Sequence, residues 1–231
     1  MPTNSFDDPA VYNTEIGTVI AATDKGVGYK DTNEDRLVVV PGQQMFAVVD
    51  GMGGIPGGSN AADILAKTLK NVDGDKEAME TLHDKAAQKM ESEGITEGGA
   101  VYQAAHITEN ELHAYQAGDA RMIVYSPDGS IVFSTDPERM MMGGLTNAVR
   151  GADAGRVTTY PPYTLADGQR IAIASDGVWD NISPEEFVKL ASTLSLAATV
   201  PQIGTLLKKQ MQKAGTPDNI SLILCEVEID T

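Results

Sequence analysis

The chain has 231 residues, 42% hydrophobic and 22% charged, proportions that fit one globular domain and exclude disordered and fibrous classes. At this length about 70% of the unfolded surface can be buried, which is enough for a sizeable core. Lys+Arg 17 against Asp+Glu 33 gives a net charge of −16, a balance that repels nucleic-acid phosphates and suits divalent cations.

The lone cysteine, Cys225, excludes an intrachain disulfide and reads as a small core residue. Met1 to Asp8 has neither a basic segment nor an apolar one, and nowhere do about 18 apolar residues run together. A cytoplasmic location with no membrane contact is the expectation.

Residues 1–12 carry Pro2, Pro9 and few large apolar side chains, and are expected to form a loose arm before a domain spanning 13–231. A strand is predicted from Thr14 to Thr23. Leu37 to Val40, the turn at Pro41-Gly42 and Met45 to Val49 form a β-hairpin signature. Ser59 is placed to cap a helix over 60–69, and a second helix is predicted over 76–92 after Asp73-Gly74. Strands at 100–107, 111–117, 121–125 and 131–134 follow as a meander. Leu145 to Arg150 leads to a further strand at 157–160, which Pro161-Pro162 ends. The last third reads as strand 170–175, helix 184–194, helix 201–214 and strand 220–229. This order predicts an α+β fold with antiparallel sheets covered by helices.

Three aspartates stand out by position. Asp50 ends the apolar run from Met45 and opens Gly51-Met52-Gly53-Gly54; Asp176 ends Ile171 to Ser175; Asp218 precedes the last strand. A carboxylate at the end of an apolar run is costly unless a cation or hydrogen-bond donors compensate it. Antiparallel pairing would bring Glu34 and Asp35 to Asp50, and Asp218 to Asp176. With no cysteine or histidine grouped beside these acids, a hard oxygen-binding cation is the economical explanation. Asp128-Gly129 and Asp167-Gly168 are read as plain turns.

Six stretches then resemble, in order, the motifs of the metal-dependent serine/threonine protein phosphatases, the protein phosphatase 2C family, in its bacterial form. They are Asn33-Glu34-Asp35, Phe46 to Gly54, Gly118-Asp119-Ala120-Arg121, Leu145 to Gly151, Ala174 to Asp180 and Asp218-Asn219-Ile220-Ser221. The resemblance implies a β-sandwich of two antiparallel sheets flanked by helix pairs, with two Mn2+ or Mg2+ ions at one edge. It implies that Asp50 bridges both ions, that the Gly51 carbonyl joins the second, and that Asp176 and Asp218 bind the first. Glu34 and Asp35 would act mainly through water, and Asp119 with Asp176 would form a third, weaker metal position. The implied activity is hydrolysis of phosphoserine and phosphothreonine in proteins, the targets of a Ser/Thr kinase, by a monomeric enzyme whose two ions activate a shared water. His83, His106 and His113 fall outside every motif. Met52 stands where eukaryotic relatives carry a histidine proposed as general acid.

Two departures bear on substrate. Lys30 occupies the position of the family's phosphate-binding arginine and lacks its planar fork; Arg36 and Lys25 are nearby candidates to compensate, each read first as a solvated surface charge. The flap segment is reduced to 135–144, where Met140-Met141-Met142 is read first as core filling, with an adaptable docking lip as the other reading. These departures motivate two alternatives: a catalytically weak module that binds phosphoproteins, and a phosphomonoesterase acting on small molecules.

Overall fold

A computed structural model describes residues 4–27, 32–54, 56–72, 74–140, 144–214 and 217–229. In chain order the strands are β1 (Ala10–Thr14), β2 (Gly17–Asp24), β3 (Arg36–Val40), β4 (Met45–Gly51), β5 (Gly99–Thr108), β6 (Glu111–Ala117), β7 (Arg121–Tyr125), β8 (Ile131–Ser134), β9 (Val149–Arg150), β10 (Thr158–Thr159), β11 (Tyr163–Thr164), β12 (Arg170–Ala174) and β13 (Ile220–Val227). The helices are α1 (Gly58–Leu69), α2 (Lys76–Ser92), α3 (Asp176–Trp179), α4 (Pro184–Ala191) and α5 (Leu196–Ala214).

Among the described residues, one antiparallel sheet runs β1-β2-β13-β12-β7-β8. The other runs β10-β6-β5-β4-β3, with β11 on β6 and β9 on β5. The continuous apolar runs are explained by burial on both faces. Along β4, Met45, Ala47 and Val49 face α1 and α2, while Phe46 and Val48 pack between the sheets. Along β13, Leu222 and Leu224 face α4 and α5, while Ile223 and Cys225 point inward. The layers are therefore helices, sheet, sheet, helices, as the resemblance implied.

Burial pushes the Cys225 thiol up to about 12, consistent with a core residue. Asp128 and Asp167 behave as turn residues: Asp128 accepts from Ser130 N at 2.9 Å, and Asp167 accepts from Ile229 N at 3.0 Å.

Four expectations are corrected. The N-terminal segment is docked: β1 pairs with β2, Thr23 N donates to Asn4 O at 2.7 Å, and Phe6 is fully buried beside Gly204 of α5. Ser59 lies inside α1, whose cap is Gly57, because its hydroxyl is engaged by Arg36 Nη2 at 2.9 Å. The β5 to β8 run is two hairpins in different sheets, with Gly118-Asp119 carrying the chain across; a Cβ at Gly118 would lie 2.2 Å from Val101 Cγ1. Met140 is 56% exposed and fills no core, while Met141 and Met142 lie outside the described residues. The Asp73-Gly74 turn falls partly outside them as well, at Asp73.

Candidate metal centre

The sheet registers place the acids together. Arg36 pairs with Val49, so Asp35 and Asp50 meet at one rim of the β3–β4 hairpin. Ala174 pairs with Leu222, which brings the segment after β12 against the segment before β13. There a Cβ on Gly177 would stand 2.0 Å from the Asn219 carbonyl and 3.3 Å from Asp218 Cβ. Asp50, Asp119, Asp176 and Asp218 all line one cavity of about 350 Å3, with Met52 on its wall.

A polar network holds the rim from behind. Ser175 Oγ donates to Asp35 Oδ2 at 2.9 Å and accepts from Ser221 N at 3.1 Å. Ser221 Oγ lies 2.7 Å from Thr23 Oγ1, which also receives Asn33 Nδ2 at 2.7 Å. Asn33 Oδ1 accepts Asp35 N at 3.0 Å. Buried Asn219 accepts Glu34 N at 2.9 Å and donates to the Lys25 and Thr32 carbonyls. Thus the first and last site segments, far apart in sequence, are fastened through amides and hydroxyls.

Arg36 is spent on structure. Its guanidinium reaches Asp63 at 2.6 Å, the Asn33 and Asp35 carbonyls and Ser59, and it does not line the cavity. Lys30 lies outside the described residues. Lys25 is exposed and contributes its carbonyl to Asn219. The histidines stand away from the cavity: His83 is buried with Nε2 2.9 Å from the Tyr102 hydroxyl, and His106 stacks near His113.

Asp50, Asp35 and Asp176 resist ionisation where they stand. Burial, followed by repulsion from Asp35, Asp176 and Asp218, raises Asp50 well above the carboxylate range. Asp35 is raised to about 6 by burial, partly offset by hydrogen bonds from Ser221 and Ser175. Asp176 is raised to about 7 by burial and then by Asp119 and Asp218, against the pull of Arg139. Asp35 Oδ1 and Asp176 Oδ1 are buried and accept no hydrogen bond. Acceptor atoms without donors, clustered with like charges, fit hard divalent cations. Among the described residues, however, no three acidic, histidine or cysteine side chains stand as a group ready to hold an ion.

Two site residues carry no motif of their own. Arg139 donates through Nε to Asp119 and through Nη2 to Asp176, and its Nη1 reaches both carboxylate oxygens of Asp180 at 2.9 Å. Glu138 ties down the 135–144 segment: it accepts from Gly118 N and Asn147 Nδ2, each at 2.8 Å, and from Thr158 Oγ1 at 2.7 Å. The only sequence signal for either is its place in the short segment before Leu145-Thr146-Asn147.

Comparison with known proteins agrees with this architecture. The family model described as Protein phosphatase 2C matches residues 29–214. The probable protein phosphatase 2C BIPP2C1 of Oryza sativa is 26% identical over 74% of this chain and 31% of its own length. The serine/threonine protein phosphatase PstP of Mycobacterium tuberculosis is 24% identical over 90% of this chain and 44% of its own length. The chain thus spans less than half of either relative. The crystal structure of the PstP catalytic domain in complex with two manganese ions superposes with a TM-score of 0.76 at 21% identity, covering 91% of this chain and 98% of that one. From the matched model, the two-sheet architecture and the acidic cavity together, the chain belongs to the protein phosphatase 2C family.

Proposed function

We propose that the chain hydrolyses phosphoserine and phosphothreonine in proteins with two Mn2+ or Mg2+ ions. The observation that carries this reading is the convergence of Asp50, Asp176 and Asp218 on one cavity, with buried acceptor oxygens of Asp35 and Asp176 left without donors. The ions would be held by Asp50, Asp176 and Asp218, which line the cavity, and by the Gly51 carbonyl. Glu34 and Asp35 would contribute through water, and Asp119 would supply a third position. When bound, such ions lower the pKa of water and neutralise phosphoryl oxygens.

The chain's own residues supply placement. Ser175 and Asn33 orient Asp35, and Asn219 fixes the backbone at Glu34. Met52 on the cavity wall carries no titratable group, so the leaving alkoxide would take its proton from water. Phosphoproteins made by a Ser/Thr kinase are the proposed substrates, met by a monomer in the cytoplasm. Among the described residues, no helix is long and apolar enough to cross a membrane.

The test is phosphate release from a phosphopeptide in Mn2+, with Asp50→Asn and Asp176→Asn each lowering kcat by at least about 100-fold, the scale of losing one strong electrostatic contribution. Turnover that survives complete chelation would sink the mechanism. Selective turnover of small phosphate esters would favour the phosphomonoesterase reading. Tight phosphoprotein binding without turnover at saturating Mn2+ would favour the binding module.

A further inference from the structure

The Arg139 guanidinium sits among acids that the family places around a metal. Its Nε and Nη2 each take a carboxylate that lines the cavity, Asp119 and Asp176, and its Nη1 takes Asp180 on the outer side. The partners differ in exposure: the Asp119 side chain is 7% exposed and Asp176 20%, against 54% for Asp180. Burial alone would favour losing the proton, but hydrogen bonds to Asp180 and Asp119 raise the guanidinium pKa further above its usual value, so the group stays cationic.

The backbone beneath Arg139 is fixed. Glu138 N donates to Gly118 O at 2.9 Å, Thr146 N returns to Glu138 O at 2.9 Å, and Arg139 bridges Leu145 across the flap base. A single cation is therefore tethered where Asp119 and Asp176 repel each other.

We propose that Arg139 is a built-in competitor of the third metal ion, holding Asp119 and Asp176 when no ion is there and yielding them when one binds. The inference rests on the metal-dependent reading above. A guanidinium carries one charge and donates hydrogen bonds to these oxygens; a divalent ion carries two and takes the same oxygens as ligands. Both cannot be satisfied by the same lone pairs. Asp180, exposed and outside the cavity, is the partner to which the displaced guanidinium remains attached. The flap arginine thereby sets how much Mn2+ is needed to fill the weakest position.

The experiment is isothermal titration of the full, metal-stripped chain with Mn2+, comparing wild type with Arg139→Gln and Arg139→Lys. Removal of the competitor is expected to tighten the weakest Mn2+ site roughly tenfold in Arg139→Gln. Arg139→Lys, which keeps the charge without the fork, should fall between. In an Asp119→Asn background, adding Arg139→Gln should tighten the weakest Mn2+ site by clearly less than it does in wild type, because one of the two shared ligands is gone and only Asp176 remains. Melting in chelator gives an independent readout: Arg139→Gln should melt below wild type without metal and recover more on adding Mn2+. Should Arg139→Gln fail to fold, the Lys variant alone still has to bind more tightly than wild type. Unchanged or weaker Mn2+ binding in the folded variants overturns the inference while leaving the phosphatase reading intact. A chain that binds no Mn2+ in any form overturns both.

Discussion

Ser175 Oγ lies 2.9 Å from Asp35 Oδ2, so a hydroxyl at the end of one sheet steadies a buried acid at the edge of the other. The same oxygen receives Ser221 N, which makes Ser175 the point where β12, β13 and the β3 entrance are joined. Ser175→Ala removes a donor from a buried carboxylate and strands a buried amide. A stability loss of about 1–3 kcal/mol is expected in urea titration, together with weaker Mn2+ binding. Cysteine at this position would restore volume with only a weak S–H donor and should rescue little.

Gly177 is required by close approach. A methyl group there would stand 2.0 Å from the Asn219 carbonyl oxygen, and that contact is backbone, which cannot swing aside. Gly177→Ala should therefore separate Asp176 from Asp218. The expected outcome is at least a tenfold loss of kcat/KM, about 1.4 kcal/mol, with Mn2+ affinity reduced in parallel. Normal kinetics in a well-folded Ala variant would contradict this account.

Phe6 fastens the N-terminal segment to α5. It is fully buried, and a Cβ on Gly204 would reach within 2.5 Å of Phe6 Cβ. Phe6→Ala is expected to cost about 3–5 kcal/mol, measured by chemical denaturation. Gly204→Ala should also destabilise, despite the better helix propensity of alanine, because Phe6 must move. If Gly204→Ala proved stabilising, Phe6 would not be packed as described.

His83 gives the fold an acid-sensitive point away from the acidic cavity. Burial lowers its pKa from 6.5 to about 4, a preference for the neutral ring only partly opposed by Asp84 and Glu138. The unfolded chain binds this proton below about 6.5 and the folded chain does not until about 4. The contribution of His83 is thus complete above pH 6.5 and is lost as the pH falls toward 4. It amounts to at most roughly 3 kcal/mol. His83→Gln should show a shallower fall in stability across this window than wild type, with the two curves running parallel below about pH 4.

What the sequence made legible was what local periodicity and antiparallel register encode. β6, β7, β8 and α2 fall on their expected residues, and the pairing of β3 with β4 by itself brings Asp35 to Asp50. Less visible were features decided by tertiary contact. β1 is a short edge strand with alternating exposure, and only its pairing with β2 and the burial of Phe6 distinguish it from a loose arm. The turn at Gly118 has the same residues whether the chain continues in one sheet or crosses to the other. α3 is four residues long and begins with Asp176-Gly177, which reads as a turn. Arg139 meets acids 20, 37 and 41 residues away, separations for which sequence carries no period.

The strands that deliver Asp50, Asp176 and Asp218 are all interior to their sheets: β4 lies between β5 and β3, β12 between β13 and β7, and β13 between β2 and β12. Interior strands are the last to open in local unfolding, since their hydrogen bonds are protected on both edges. The cavity is consequently expected to sit on the slowest-exchanging part of the molecule, which amide hydrogen exchange would read directly. Hydrophobic layers hold these acids together on their own, so under the proposed function an ion would be a late guest in a framework that folding has already assembled.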